Sequence, residues 1–462
     1  MEVSIDMNDK ELNKVSKTNG TKRKIKVLPI LIAIILIAVI STGAYMLYKG
    51  YKVSKEIGFQ ISPGSILQPK PDPELKKDST GQYTNALLIG IDTREKGNLM
   101  NTDTIMIVSY NHKTNDVVMI SIPRDFNVQI EERRVWFNKI NSVYAVHERR
   151  NKGSGLEALK HVVEDMTGIE IQYHAMIDFR GFIDLIDAVG GVYVNVENSF
   201  TDYKYPKNKG YETVKFVAGP QLMDGETALK YSRSRHSQQN YEGSDYARAR
   251  RQQKVILAFK DILLSSETLL NPKKITDLMS TVQNNLKVSE FDLNDIQAGI
   301  NIFKKFSDTQ DHSYSFVLDP AAGNFAIITT DVYEIMPKEG LGKYTKIQEY
   351  VSLLLQNPKL YSTNPSINVY NIGLGYQNTY KQVQELRTQF KYLNIKYRGN
   401  LYSDKEGTYI FAKDESFNFA IDQLSKNITD IKKEKPEYIT TNLKGEDISI
   451  LFGKEVILET QQ

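Results

Sequence analysis

Cysteine is absent from all 462 residues, which removes disulfides, thiolate metal centres and cysteine nucleophiles together. Net charge is nearly absent too. Lys and Arg total 59 against 56 Asp and Glu, a balance of +3, so no bulk field selects nucleic acid and any cationic site must be local. No internal repeat is present. Charge is also missing from one long stretch, Val27 to Tyr48, whose 22 residues would cover about 33 Å as a helix, enough to cross a hydrocarbon core. The run is too long for a cleaved signal peptide and passes into Tyr45, Met46, Leu47 and Tyr48 rather than small residues. Seven basic residues (Lys10, Lys14, Lys17, Lys22, Arg23, Lys24, Lys26) precede it and three (Lys49, Lys52, Lys55) follow. That asymmetry predicts a cytoplasmic tail over 1–26, a single transmembrane helix over 27–48 and an extracytoplasmic remainder.

Prolines 63, 69, 71 and 73 mark an extended stalk over 49–81. Beyond it ALLIGI, TIMIVSY and VVMISI read as short strands covered on both faces. Helical periodicity follows at Gly155 to Met166, Phe179 to Val189 and about Tyr246 to Leu264, with a strand at Val192 to Val196. Segments Tyr314 to Leu318 and Phe325 to Thr330 are expected to return to the sheet. The predicted fold is α/β, a mixed central sheet between helices over 82–345. A linker over 346–365 and a small C-terminal α/β domain over 366–455 are expected to follow it.

Four clusters in the first domain carry potential chemistry. Asp92 ends the first strand, with Arg94 just beyond, and Asp103 opens the next. Two carboxylates at adjacent strand ends suit Mg²⁺, which keeps waters and accepts phosphate oxygens, and they suit an Asx turn equally. Arg124 and Asp125 follow the strand VVMISI. Arg233 and Arg235 alternate, and in an extended segment they would share one face. Asp245, Arg248, Arg251 and Gln252 open a helix, with Asp245 as its expected cap. Cations in a first helical turn oppose the macrodipole, a mismatch that a bound anion would offset. The apolar helix carrying Phe179, Phe182, Ile183 and Ile186 is a candidate tunnel wall or simply core.

LLIGIDTR with a downstream TDT, SIPRD, FRGFIDLIDAVGGVYVNV, LMDGETALKYSRSRH and D-x-x-R-x-x-RQ, in this order, resemble the LytR-CpsA-Psr family of envelope phosphotransferases. Residues 366–455 are similar to the small C-terminal domain that many members carry. The resemblance implies transfer of a glycopolymer, such as teichoic acid or capsule, from undecaprenyl pyrophosphate to a peptidoglycan hydroxyl through a phosphodiester. It implies Mg²⁺ or Mn²⁺ on Asp92 and Asp103. Arg124, Arg233, Arg235, Arg248 and Gln252 would bind the phosphates, with Arg94 and Arg251 beside them. Asp125 and Asp245 both remain open as the base. Members often carry Gly where this chain has Ala247, which leaves the aim of Arg248 open. The partners implied are the lipid-linked polymer, peptidoglycan and the cytoplasmic membrane. The same residues would also serve a polyprenyl-pyrophosphate hydrolase or a non-catalytic polyprenyl-phosphate or wall-polymer binding protein. A transcriptional regulator is not expected, since about 26 residues before the expected span leave little room for a helix-turn-helix domain.

Overall fold

The computed structural model describes residues 73–92, 100–131, 136–207, 210–263, 285–289, 294–295, 298–299, 301–302, 312–320, 326–330, 334–426, 428–440, 443 and 446–454. The expected tail, the expected transmembrane helix, the stalk up to residue 72 and Arg94 lie outside them. No helix among the described residues is long and apolar enough to cross a membrane.

Six strands form a mixed sheet: β1 (Tyr83–Asp92), β2 (Asn101–Asn111), β3 (Val117–Ser121), β4 (Tyr173–Asp178), β5 (Leu286–Val288) and β6 (Ser313–Val317), in the order β5-β4-β1-β2-β3-β6. The β1-β2, β2-β3 and β4-β5 pairs are antiparallel, and β1-β4 and β3-β6 are parallel. Period-2 alternation divides β1 cleanly. Leu87, Ile89 and Ile91 enter a core with Ile105 and Ile107 of β2 and with Leu159, Val163 and Met166 of a helix on that face. Leu88 and Gly90 face the other way and border a cavity beneath helices, so β1 is covered on both faces, as its apolar run suggests, but close-packed on only one.

Helices α1 (Val143–Arg150) and α2 (Gly155–Thr167) come from the segment between β3 and β4; α3 (Phe179–Ala188), α4 (Gly225–Arg233) and α5 (Asp245–Leu263) follow β4. Between α3 and α4 the chain makes a broken two-stranded ribbon. Val192–Val196 pairs with Gly219–Met223, and Phe200–Lys207 pairs with Gly210–Phe216. Its inward residues Val194, Phe200 and Phe216 share a second core with Ile186 of α3, Tyr231 of α4 and Val255 of α5.

Three expectations change. Residues 73–81 are not free stalk: the backbone N–H groups of Lys76 and Ser79 donate to Tyr173 Oη and Glu170 Oε2 at 2.9 and 2.8 Å. Ile327–Thr329 does not rejoin the sheet but pairs with Ile335–Pro337 in a separate hairpin. The stretch 346–365 is not a plain connection. It holds α6 (Thr345–Gln356) and α7 (Pro358–Thr363), whose Ile347, Tyr350, Val351, Leu354 and Leu360 are buried.

The C-terminal unit contains β7 (Ser366–Asn371), α8 (Tyr376–Gln389), β8 (Asn394–Asn400), β9 (Thr408–Ala412), α9 (Asn418–Ser425), β10 (Ile431–Lys432) and β11 (Ile448–Phe452). The sheet order is β8-β7-β11-β9-β10. Ile367, Val369 and Ile450 belong to the same continuous apolar core as Leu87 and Ile347, so the two sheets are joined through α6 and α7.

Candidate active site

Asp92 and Asp103 line one cavity because of a register fault. Gly90 pairs with Thr104 and Ile91 with Thr102, which leaves Asp103 as the unpaired residue of a β-bulge. The bulge lets Thr102 turn into the core, fully buried, while Asp103 and Thr104 stay on the cavity side. Arg124, just past β3, donates from Nη1 to Asp103 Oδ1 at 2.7 Å.

Arg233 arrives by a different route. Asp224 caps α4 by accepting the Thr227 N–H at 2.8 Å, and Gly225 N–H donates to Asp187 Oδ1 at 2.7 Å, fixing α4 to the end of α3. Arg233 is the last residue of α4, so Arg233 and Arg235 are not an extended pair as their spacing suggests. The helix ends at Ser234 and Arg235 lies beyond, yet both arginines line one cavity. The Arg233 guanidinium lies 3.9 Å over the Phe179 ring, donates to Tyr205 Oη at 3.2 Å and reaches Asp92 Oδ2 at 3.5 Å.

Asp202, fully buried in the ribbon, holds the turn between these arginines. Its Oδ2 accepts from Ser234 Oγ at 2.6 Å and from the N–H groups of Arg235 and His236 at 3.0 and 3.2 Å. Nothing in the local pattern SFTDYK marks it, because the partners of its Oδ2 lie more than 30 residues away in sequence.

At the start of α5 the cap is Ser244, not Asp245: Ser244 Oγ accepts the Ala247 N–H at 3.0 Å. Ala247 is an ordinary buried helical residue, and Arg248 one step later points into the cavity. The Asp245 carboxylate pairs with Arg248 Nη1 at 3.1 Å. Arg251, expected at the phosphates, is turned away. It is buried and donates to the carbonyls of Tyr231, Glu242 and Ser234 and to Glu242 Oε2, and it does not line the cavity. Glu242 and Asp245 thus offset much of the cationic mismatch at this helix end without a ligand.

The carboxyl groups of Asp125 and Asp245 influence each other and each lies beside an arginine, Asp125 at 3.6 Å from Arg124 and Asp245 at 3.1 Å from Arg248. Burial pushes Asp245 above the usual carboxylate range, and its contact with Asp125 adds to this against the pull of Arg248 and Arg124. Burial acts upward on Asp125 as well. Hydrogen bonds with Lys139, at 2.7 Å, and with Asp245, together with the Arg124 charge, outweigh it and hold Asp125 low. Neither carboxyl lines the cavity.

The polar cavity measures about 290 Å³ and is walled by Asp92, Asp103, Arg124, Arg233, Arg235 and Arg248, with Gln252, Thr104 and Phe179 at its inner side. Four arginines against two aspartates leave the lining with an excess of positive charge, which suits an anion. Thr104, Phe179, Arg233 and Gln252 also border a second cavity of about 310 Å³. That one is apolar, between β1 and β4 below and α3, α4 and α5 above. Phe179, Phe182 and Ile186 line it, with Leu88, Leu229 and Phe259, which the sequence did not single out. Ile183 does not. Its backbone faces Gly225 at the α3-α4 crossing. Gly90 keeps the floor open, since a Cβ there would stand 3.0 Å from Thr104.

The LytR_cpsA_psr family profile matches residues 44–325. The polyisoprenyl-teichoic acid–peptidoglycan teichoic acid transferase TagU of Bacillus licheniformis is 29% identical over 280 residues, 60% of this chain and 83% of the relative. TagU of Oceanobacillus iheyensis is 31% identical over 265 residues, 56% and 76% of the two chains. The crystal structure of B. subtilis TagV superposes over 60% of this chain and 96% of its own, with a TM-score of 0.45 at 22% identity. By the extent of the profile match, the chain belongs to the LytR_cpsA_psr family.

Proposed function

We propose that the chain is a transferase that moves a glycopolymer from a polyprenyl pyrophosphate carrier to a peptidoglycan hydroxyl, leaving a phosphodiester. One observation carries the reading: the arginine cavity adjoins an apolar cavity, with Thr104, Phe179, Arg233 and Gln252 in the wall of both. A ligand with a charged head and a hydrocarbon tail satisfies the two together. Free pyrophosphate would leave the apolar half without purpose. The names of the relatives support a teichoic acid as the polymer class.

In this mechanism Arg124, Arg233, Arg235 and Arg248 bind the pyrophosphate and neutralise the charge that develops as the phosphoryl group transfers. The acceptor hydroxyl oxygen attacks the polymer-side phosphorus, the bridging P–O bond breaks, and polyprenyl phosphate leaves with the hydroxyl proton. Asp125 and Asp245 hold Arg124 and Arg248 in place from behind. Asp92 and Asp103 fit a divalent cation of the Mg²⁺ type. Both open on the same cavity, and no group of three or more candidate ligands forms among the described residues, so phosphate and water would complete the shell. Bound there, Mg²⁺ would supply Lewis-acid stabilisation of the phosphoryl oxygens. Residues 27–48 anchor the chain, with 1–26 in the cytoplasm and the catalytic region outside.

The test is reconstitution with a lipid-linked teichoic acid precursor and a peptidoglycan oligomer. Arg124→Ala, Arg233→Ala and Arg248→Ala should each lose roughly ten- to a hundredfold in prenyl pyrophosphate binding, at about 1.5–3 kcal/mol per charge-assisted contact. Lys at these positions should restore only part, because a point charge cannot form the bidentate fork. Lys152→Ala, in an exposed loop, should be silent. Polymer released to water with no transfer would instead identify a hydrolase. Binding without either product would identify a carrier protein.

A further inference from the structure

Among the described residues eight large apolar side chains stand exposed, and five of them, Tyr193, Tyr203, Tyr211, Val217 and Leu222, lie on the one ribbon between α3 and α4. Their placement follows the pleat. On the first half Val192, Val194 and Val196 point inward and Tyr193 outward, directly opposite Leu222 on the partner strand. On the second half Val214 and Phe216 point inward, while Tyr211 and Lys215 are exposed. A bulge between Asp202 and Tyr205 pushes out Tyr203 and Lys204. Inward demands are already met by the second core, so nothing in folding calls for apolar groups on the outer face.

The charges on the ribbon have one sign to spare. Glu197 is paired with Lys254 at 2.6 Å, and Glu212 with Lys207 and Lys230 at 2.9 and 3.2 Å. Asp202 is buried. Lys204 and Lys215 have no ion pair among the described residues. Tyrosine with scattered aliphatics and unpaired lysine is the composition of a bilayer interface, where the ring sits at headgroup level and the ammonium meets anionic phosphate. It differs from a sugar platform, which has no use for Val217 and Leu222.

We propose that the outer face of this ribbon rests on the surface of an anionic bilayer. The inference rests on the lipid-linked substrate and the anchor argued above. A span ending near residue 48 leaves about 24 residues before the described chain begins, a reach of up to roughly 80 Å, which permits the contact. The ribbon is also continuous with the substrate site. Its inner face packs on the helices that wall the apolar cavity, and Pro206 near its tip lines the polar one. The contact holds the donor's two-part cavity beside the bilayer in which the donor resides.

The absence of cysteine makes the test site-specific. Leu222→Cys, Val217→Cys and Tyr211→Cys in the full chain, each carrying an environment-sensitive fluorophore, are placed in nanodiscs of phosphatidylglycerol and phosphatidylcholine containing a doxyl-lipid quencher. Lys152→Cys and Gln377→Cys serve as exposed controls away from the ribbon. Ribbon probes should be quenched at least about twofold more than the controls, as expected for an interfacial element. Adding Lys204→Gln with Lys215→Gln should lower that quenching in anionic discs and leave it unchanged in purely zwitterionic ones. Ribbon probes that respond like the controls overturn the proposal, as does shielding that persists in detergent without lipid, which would indicate a protein partner. Transfer activity measured in the same discs keeps the two readings apart. Normal transfer with unquenched probes sinks the membrane surface alone, and quenched probes without transfer sink the enzymatic reading alone.

Discussion

The Asp125-Asp245 pair shows how a residue one step behind the cavity can set the charge in front of it. Asp245 is lifted above the usual carboxylate range by burial first and by Asp125 second. A carboxyl whose folded pKa is raised adds stability that is complete below its unfolded value, about 4, and lost as pH rises through the folded value. Asp245→Asn cannot ionise and keeps a donor toward Asp125. The variant should therefore gain on the wild type in melting temperature between about pH 4 and neutrality. A constant difference across that range would mean that Asp245 ionises as an ordinary carboxylate. At this scale the sequence was readable for residue type and unreadable for direction. Arg248 and Arg251 lie three apart on one helix, and spacing gave them a shared role. Tertiary partners separated them: Arg251 is claimed by three carbonyls and Glu242, whereas Arg248 pairs with Asp245 and faces the cavity.

Among elements, the α3-α4 crossing decides where Arg233 stands. A Cβ at Gly225 would meet the Ile183 carbonyl oxygen and stand 2.7 Å from its Cα, both rigid backbone. Gly225→Ala should gain about 0.5–1 kcal/mol of helix propensity. Parting the helices should cost more, about 1–3 kcal/mol, so the melting temperature should fall. Because the shift also displaces Leu229 and Arg233, prenyl pyrophosphate binding should weaken with it. A variant of unchanged stability and binding would show that the crossing has slack. The Asp224 cap is a local rule, written in adjacent residues, whereas the Gly225 contact depends on Ile183, 42 residues away in sequence. The bulge at Asp103 was not legible either. Alternation in NTDTIMIV assigns Asp103 one face whether or not a residue is unpaired, and only pairing with β1 reveals the fault.

In the whole molecule the consequential feature is the junction that composition presented as a linker. Asn357-Pro358 and Asn364-Pro365 are turn signals, and they do mark helix ends, but the intervening apolar residues serve two sheets at once. Gln348 of α6 donates to the Asp165 carbonyl of α2 at 2.7 Å. On the other side Tyr361 of α7 donates to the Lys391 carbonyl at 2.9 Å, and Tyr392 to Glu349 at 3.0 Å. A tether would allow the two sheets to melt separately. A shared core should not. Leu354, fully buried in α6, lies in that shared core. Leu354→Ala should cost about 2–5 kcal/mol, the range for removing a buried leucine side chain. Hydrogen exchange provides the discriminating measurement. Protection in β3 of the first sheet and in β11 of the second should fall together and by similar free energies, since each sheet leans on the same helix. Loss confined to one sheet, with the other unchanged, would show that the C-terminal unit folds on its own and that α6 belongs to only one partner.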